Sequence, residues 1–401
     1  MPKEPAVLLI GAGPLQVPQI MWARELGLQV IVTDARPRPA GSRYADRIIR
    51  VNGCDGSALN EIAFQIRSEY DLVGVYAGSD FALQSVAEIS RRHRLPGHAP
   101  EAVDLCLDKT VQKKMLQQNN LPVPPGTVVR GSEAGLDAAG ALGYPLIVKP
   151  ASASGSRGVV TVTNDAQLLA AIRNAQVFST TVLLEKCITG RHIDANGLII
   201  DGRLIRCGLF ERYFSPPPLH LPLWGYQEPG LTLDEKERIY SAVSAAAHCL
   251  GLKNGPVKAD CILSQGTPYL LEIGPRFHGD IGTSFTTPAA RGTQPIKAWF
   301  AYLKGDQDFT QYLQPTRKHY AGWKALFPQQ QGEIQRISGM QEARAMPSIL
   351  KIILKLNAGR FIRPHRDNTT LCGFVVGCSQ TKQELKDALL GASDRILFKC
   401  A

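Results

Sequence analysis

Asp260 and Glu272 stand twelve residues apart, equidistant from Gly266 in the turn SQGTP. A hairpin folded on Gly266 sets 260 against 272 and 258 against 274. Strand alternation then gives 260, 270, 272, 274 and 276 a common face. Two carboxylates directly opposite on a mostly apolar hairpin repel each other. A hard divalent cation between them would resolve this, and oxygen ligands suit Mg²⁺ (or Mn²⁺) carrying nucleotide phosphates. Arg276, four residues beyond Glu272, would point at the same centre. Lys258, opposite Gly274, offers a plainer account: a salt-bridged solvent face.

A second constellation lies upstream. Lys149 ends an apolar strand and is followed by a loop of small residues, ASASGSRG (151–158), that carries Arg157. An unpartnered ammonium is costly to bury. Small residues let backbone N–H groups approach phosphate oxygens, and Lys and Arg supply charge. The loop is not a Walker motif, since GxxxxGK[ST] is missing. GAGPLQ (11–16) begins like a dinucleotide fingerprint and fails it, because Gln16 stands where the third glycine is needed. With Asp34 ending the second strand, the bland reading is a tight turn at the edge of a sheet that could still line a substrate site.

The elements that must position these groups alternate strand and helix through the first hundred residues: AVLLIGAG, PQIMWARELG, LQVIVTD, SALNEIAFQIRSEY and DLVGVYAGSD. That order predicts right-handed crossovers and a parallel sheet. A helix is expected near 108–119, ended by Pro122, Pro124 and Pro125, with strands at 144–150 and 181–188. A hairpin over 192–214 turns at Asp201-Gly202. The segment 215–230 reads as a proline-rich loop, too rigid and aromatic for a plain linker. The fold class is therefore α/β and α+β.

Composition is that of a globular protein: 401 residues, 44% hydrophobic and 20% charged. The N-terminus does not read as a signal peptide, and no apolar stretch approaches a membrane span. Nine cysteines are scattered without a CxxC pair, against a zinc site or disulfide scaffold. A reducing, cytoplasmic setting is expected. The net charge is +10, and residues 301–401 hold 15 Lys or Arg against 8 Asp or Glu, so +7 lies there. These charges are mixed with acidic and apolar residues, and no aromatic-interleaved stripe accompanies them. A solvated face or attraction of anionic substrates is expected, not nucleic-acid binding.

In order, LDKT (107–110), IVKPASASGSRGVVTV (147–162), LLEKCITGRHID (183–194) and KADCILSQGTPYLLEIGPR (258–276) resemble the ATP-grasp superfamily. Its members include biotin carboxylase, D-alanine–D-alanine ligase, carbamoyl-phosphate synthetase and the amino-acid ligases that make dipeptides. The resemblance implies ATP and Mg²⁺ (or Mn²⁺) as cofactors. It implies that Lys109 and Lys149 contact nucleotide phosphates, and that a loop including Ser154, Gly155, Ser156, Arg157 and Gly158 closes over them. Glu185 and Lys186 would sit at the adenine, read by backbone groups near Lys186 and Ile188. His192 matches the histidine of biotin carboxylase, where the D-alanine ligases carry glutamate for the ribose. Asp260 and Glu272 become metal ligands and Arg276 the catalytic arginine. The family usually shows E-x-N-x-R; here Gly274 replaces the asparagine, so one metal ligand is missing.

Four segments are expected: a Rossmann-like domain over 1–105, a small lobe with the phosphate loop over 106–190, a large lobe with the metal site over 191–300, and a C-terminal α+β extension over 301–401. The implied activity is an ADP-forming carboxylate–amine ligase working through an acyl-phosphate, with small-molecule carboxylate and amine substrates and room for a homodimer. Substrate contacts are expected from Ser79, Asp80, Tyr213, Trp224, His278 and Asp280. The competing reading is carboxylation of bicarbonate, because Asp280 stands where biotin carboxylase carries a catalytic glutamate.

Overall fold

Pro5–Ile10, Gln29–Asp34, Arg47–Arg50 and Asp71–Ala77 form a parallel sheet in the order Arg47–Arg50, Gln29–Asp34, Pro5–Ile10, Asp71–Ala77. The structure is a computed structural model that describes residues 2–153, 155–279, 281–328 and 330–401. Ala6, Leu8 and Ile10 pack on Leu59, Ala63 and Ile66 of helix Gly56–Glu69. Val7, Leu9, Val30 and Val32 face the other way, toward Trp22 and toward Trp299 and Phe300 of helix Pro295–Leu303. Burial on both faces is why these strands read as continuous apolar runs. At the sheet edge, the Ala12 amide donates to Asp34 Oδ2 at 3.0 Å, and Arg36 Nε donates to Oδ1 at 2.8 Å. Burial would raise the Asp34 pKa, but these donors bring it down to about 2.

The next sheet is antiparallel, in the order Gly126–Val129, Val182–Lys186, Leu146–Pro150, Val160–Val162. Helices Ser132–Leu142 and Asp165–Gln176 bury Ala139, Leu168 and Ile172 against Leu146, Val148, Val182 and Leu184. Alternation sends Lys149 and Glu185 to the opposite face. The helix expected near 108–119 is Lys109–Gln118. It is capped by Asp108, whose carboxylate accepts from the Thr110 and Val111 amides at 2.8 and 3.2 Å.

An eight-stranded antiparallel sheet follows, in the order Thr267–Gly274, Gly255–Ser264, Arg191–Ile200, Arg203–Phe214, Pro222–Gln227, Tyr320–Leu326, Gly373–Ser379, Ile349–Leu354. Asp201 and Gly202 both take positive φ, +50° and +77°, as a tight hairpin turn demands. Within the proline-rich segment, Pro222–Gln227 is a strand, with the proline at its first residue where no ladder donor is lost. Trp224 pairs with Lys324, so strands after residue 300 continue this sheet edge to edge. A small three-stranded sheet of Phe361–Ile362, Gly332–Ser338 and Leu397–Cys400 completes the C-terminal part, with helix Lys382–Arg395 packed in the same core.

Candidate active site

Asp260 stands opposite Glu272 and Lys258 opposite Gly274, although the turn pairs Ser264 with Thr267 and by itself would set Asp260 against Leu271. A bulge between Asp260 and Cys261 breaks the alternation. Leu270 therefore turns into the core with Ala259, Cys261 and Ile273, and does not share the Glu272 face. On that face the two carboxylates are joined by a cation of the chain itself. Lys258 Nζ donates to Asp260 Oδ2 and to Glu272 Oε1, both at 2.9 Å.

Asp260 is committed further. Its Oδ1 accepts from Arg212 at 3.2 Å and lies 3.0 Å from His278 Nε2. Arg212 also donates through Nε to Asp194 Oδ1 at 2.8 Å. Asp194, Asp260 and His278 gather donor atoms within 4.8 Å of one another, and Arg212 together with Lys258 balances the two carboxylates. Burial would raise the Asp260 pKa; Lys258, His278 and Arg212 hold it well below the carboxylate range. Glu272 Oε2 is different: it faces Lys109 at 3.8 Å, beyond hydrogen-bond distance.

Lys109 bridges the Glu272 strand and the glycine loop, because its ammonium also donates to the Ala153 carbonyl in that loop at 2.8 Å. In that loop Gly155, Ser156 and Gly158 take positive φ, which suits glycine far better than serine. The Arg157 guanidinium lies 5.7 Å from the Phe178 ring centre. Behind the loop, Glu185 is buried between Lys149, which contacts its Oε2, and Lys113, whose Nζ lies 2.8 Å from Oε1. Burial pushes Glu185 upward, and the two lysines overcome this and hold it below its ordinary value.

The remaining expected residues separate into those near this centre and those away from it. Arg276 donates to both oxygens of Asp80, at 2.5 and 3.0 Å, across 196 residues of sequence. Ser79 immediately precedes that aspartate. The His278 amide donates to Asn196 Oδ1 at 2.6 Å. His192 pairs with Arg212 on the same sheet face and packs 4.7 Å from the Phe214 ring. Burial and Arg212 bring the His192 pKa down to about 4.

Other residues point elsewhere. The Lys186 ammonium donates to the carbonyls of Leu142, Gly143 and Tyr144, where it caps a helix end. Its amide is spent on Pro125 and that of Cys187 on Pro145, so neither amide is available beside Ile188. Tyr213 and Trp224 stack at 4.5 Å on the sheet face opposite Arg212, beneath Lys382 and Lys386. Alternation along Arg203–Phe214 makes it impossible for Arg212 and Tyr213 to serve one centre. Ser154 and Asp280 lie outside the described residues.

Residues 106–280 match the ATP-grasp domain, and residues 324–401 match the L-amino acid ligase C-terminal domain 2. The chain carries an ATP-grasp domain. Among solved structures, this chain is similar to an L-amino acid ligase from Bacillus licheniformis. The TM-score is 0.83 at 22% identity, covering 99% of this chain and 100% of that one. An uncharacterised protein of Sinorhizobium fredii is 26% identical over 383 residues, covering 93% of this chain and 78% of the relative. The carbamoyl phosphate synthase large chain of Clostridium botulinum is 22% identical over 293 residues, 68% of this chain. There the ATP-grasp chain spans only 27% of the relative's length. No helix among the described residues is long and apolar enough to cross a membrane.

Sequence reasoning about this ATP-grasp chain missed Lys113, Asp194 and Arg212. Lys113 follows Lys109 by one helical turn, a spacing that puts both on one side. Arg212 could be placed opposite His192 only by knowing the register shift between Arg206 and Gly208.

Proposed function

We propose that this chain is an ATP-dependent carboxylate–amine ligase that forms its bond through an acyl-phosphate and releases ADP and phosphate. The observation that carries the reading is the double attachment of Lys109, to the glycine-loop carbonyl of Ala153 and toward Glu272 Oε2. It brings one ammonium to both a glycine-rich backbone loop and a carboxylate, the groups that would hold phosphates and their cation. The tail's match to an L-amino acid ligase domain supports amine acceptance over carboxylation.

In this reading, Lys109, Lys149 and the loop amides around Gly155–Gly158 hold the nucleotide phosphates. Glu185 aims Lys149 and reads no base. Ile188 and His192 lie toward the adenosine, with the His192 ring neutral at working pH because burial keeps its pKa near 4. The residues present fit one hard cation on the uncommitted oxygen of Glu272, since carboxylate oxygen is the donor Mg²⁺ or Mn²⁺ takes. Such a cation would neutralise phosphate charge during transfer.

A substrate carboxylate oxygen attacks the γ-phosphorus and ADP leaves. An amine nitrogen then attacks the acyl carbon and phosphate leaves. Both steps need charge neutralisation and alignment more than covalent help from the protein. Arg276 supplies a fork of donors for the carboxylate and for the charge that develops on its oxygens. Asp80 holds that fork until a substrate carboxylate competes for it. Ser79 and His278 border the same space.

The experiment is ADP release with amino-acid pairs added in combination, against bicarbonate with candidate amines. Stimulation by amino-acid pairs, with mass-spectrometric detection of the dipeptide, supports the reading. Stimulation by bicarbonate alone would replace it with carboxylation.

A further inference from the structure

Gly274 stands where the superfamily carries asparagine, and the structure shows what occupies the space. A Cβ on Gly274 would meet Lys258 Cε at 2.9 Å and Cγ at 3.3 Å. The stem of Lys258 therefore lies where any larger residue at 274 would sit. Its side chain is 3% exposed, and its ammonium ends between Asp260 Oδ2 and Glu272 Oε1 at 2.9 Å from each. Lysine and glycine form a matched pair across the hairpin.

We propose that the Lys258 ammonium is a resident counter-ion that replaces a second divalent cation between Asp260 and Glu272. The inference rests on the nucleotide-site reading above and limits the site to one metal per chain. Charge supports it. Asp194, Asp260 and Glu272 are matched by Arg212, Lys258 and Lys109, and Asp80 is paired with Arg276, a balance reached without metal. The inner oxygens of the two facing carboxylates are occupied, and the outer oxygen of Glu272 is the one left for a hard cation. A lysine here also removes the repulsion that two facing carboxylates would cause.

Two measurements decide this, and the first needs no nucleotide. Lys258→Met keeps the stem and removes the charge. Its melting temperature should fall below that of the wild type and rise on adding Mn²⁺ by more than the wild type's does. Equal Mn²⁺ responses in both proteins would overturn the proposal even if no nucleotide ever binds. Should the variant fail to fold, the wild type still answers. With a non-hydrolysable ATP analogue, Mn²⁺ counted by electron paramagnetic resonance should saturate at one per chain, and two per chain would sink the idea. The Lys258→Ala/Gly274→Asn double variant should hold a second Mn²⁺ and melt higher than Gly274→Asn alone, because the stem that clashes with residue 274 is gone. Failure of the wild type to bind the analogue would count against the ligase reading, and the nucleotide-free Mn²⁺ response would still decide the role of Lys258.

Discussion

Glu185→Gln separates a carboxylate that reads adenine from one that holds lysines in place. The carboxylate is 4% exposed and Lys113 is 6% exposed, so the substitution leaves a buried ammonium without its counter-charge. Removing one partner of a buried pair costs about 3–5 kcal/mol. The loss has a ceiling, because Lys113 can give up its proton. For a lysine with the ordinary pKa of 10.5, deprotonation at pH 7 costs about 5 kcal/mol. Burial already pulls the Lys113 pKa down, against the pull of Glu185, so the ceiling here is lower. Glutamine also keeps an oxygen for one of the two lysines. A loss of about 3 kcal/mol is the expected outcome, read from urea unfolding followed by circular dichroism at pH 7. Adding Lys113→Met to Glu185→Gln should recover most of it, since a well-packed apolar replacement of the ion pair is close to neutral. A loss below about 1 kcal/mol, within the range of an exposed pair, together with loss of analogue binding, would refute the argument and return Glu185 to the adenine.

Arg276→Ala should leave ATP-analogue affinity by calorimetry nearly unchanged and cut turnover about 10²–10³-fold, the scale of losing one preorganised donor to developing charge; an equal loss in both would make the arginine a nucleotide ligand. The Asn368 amide donates to the Gly155 carbonyl at 3.1 Å, and a Cβ on Gly155 would lie 3.8 Å from Asn368 Cβ, the usual separation across a disulfide. Oxidising a Gly155→Cys/Asn368→Cys variant should slow nucleotide entry and exit, with recovery on reduction of the same sample; equal exchange rates in the two states would show that the loop need not open there. Burial lowers the His98 pKa from 6.5 to about 4, so the unfolded chain takes up a proton that the folded one refuses. The His98 contribution is therefore complete above pH 6.5 and lost as pH falls toward 4, about 3 kcal/mol in all. His98→Gln should lose less stability than the wild type between pH 7 and 4.5, and an equal loss would exclude His98 as the source.

The sequence alone carried everything set by local period and turn chemistry. The symmetry of the segment about Gly266 reached the pairs 260–272 and 258–274, but the turn alone would set 260 against 271, and the bulge supplies the one-residue shift. The apolar runs of the first hundred residues implied a parallel sheet, and the motif order implied the superfamily. What it could not carry was the choice of partner for each charge. Lys258 stood in the right register, yet only the packed side chains show its ammonium shared between both carboxylates. Glu185 meets Lys113 across 72 residues and Arg276 meets Asp80 across 196, contacts fixed by how separate sheets and helices pack. One bulged residue turned Leu270 away from Glu272, and strand alternation put Tyr213 behind the sheet while Arg212 stayed in front. Pairing is local where hydrogen bonds along a ladder enforce it. The fate of a buried charge is global, because its desolvation must be offset by whichever opposite charge the tertiary fold brings within reach.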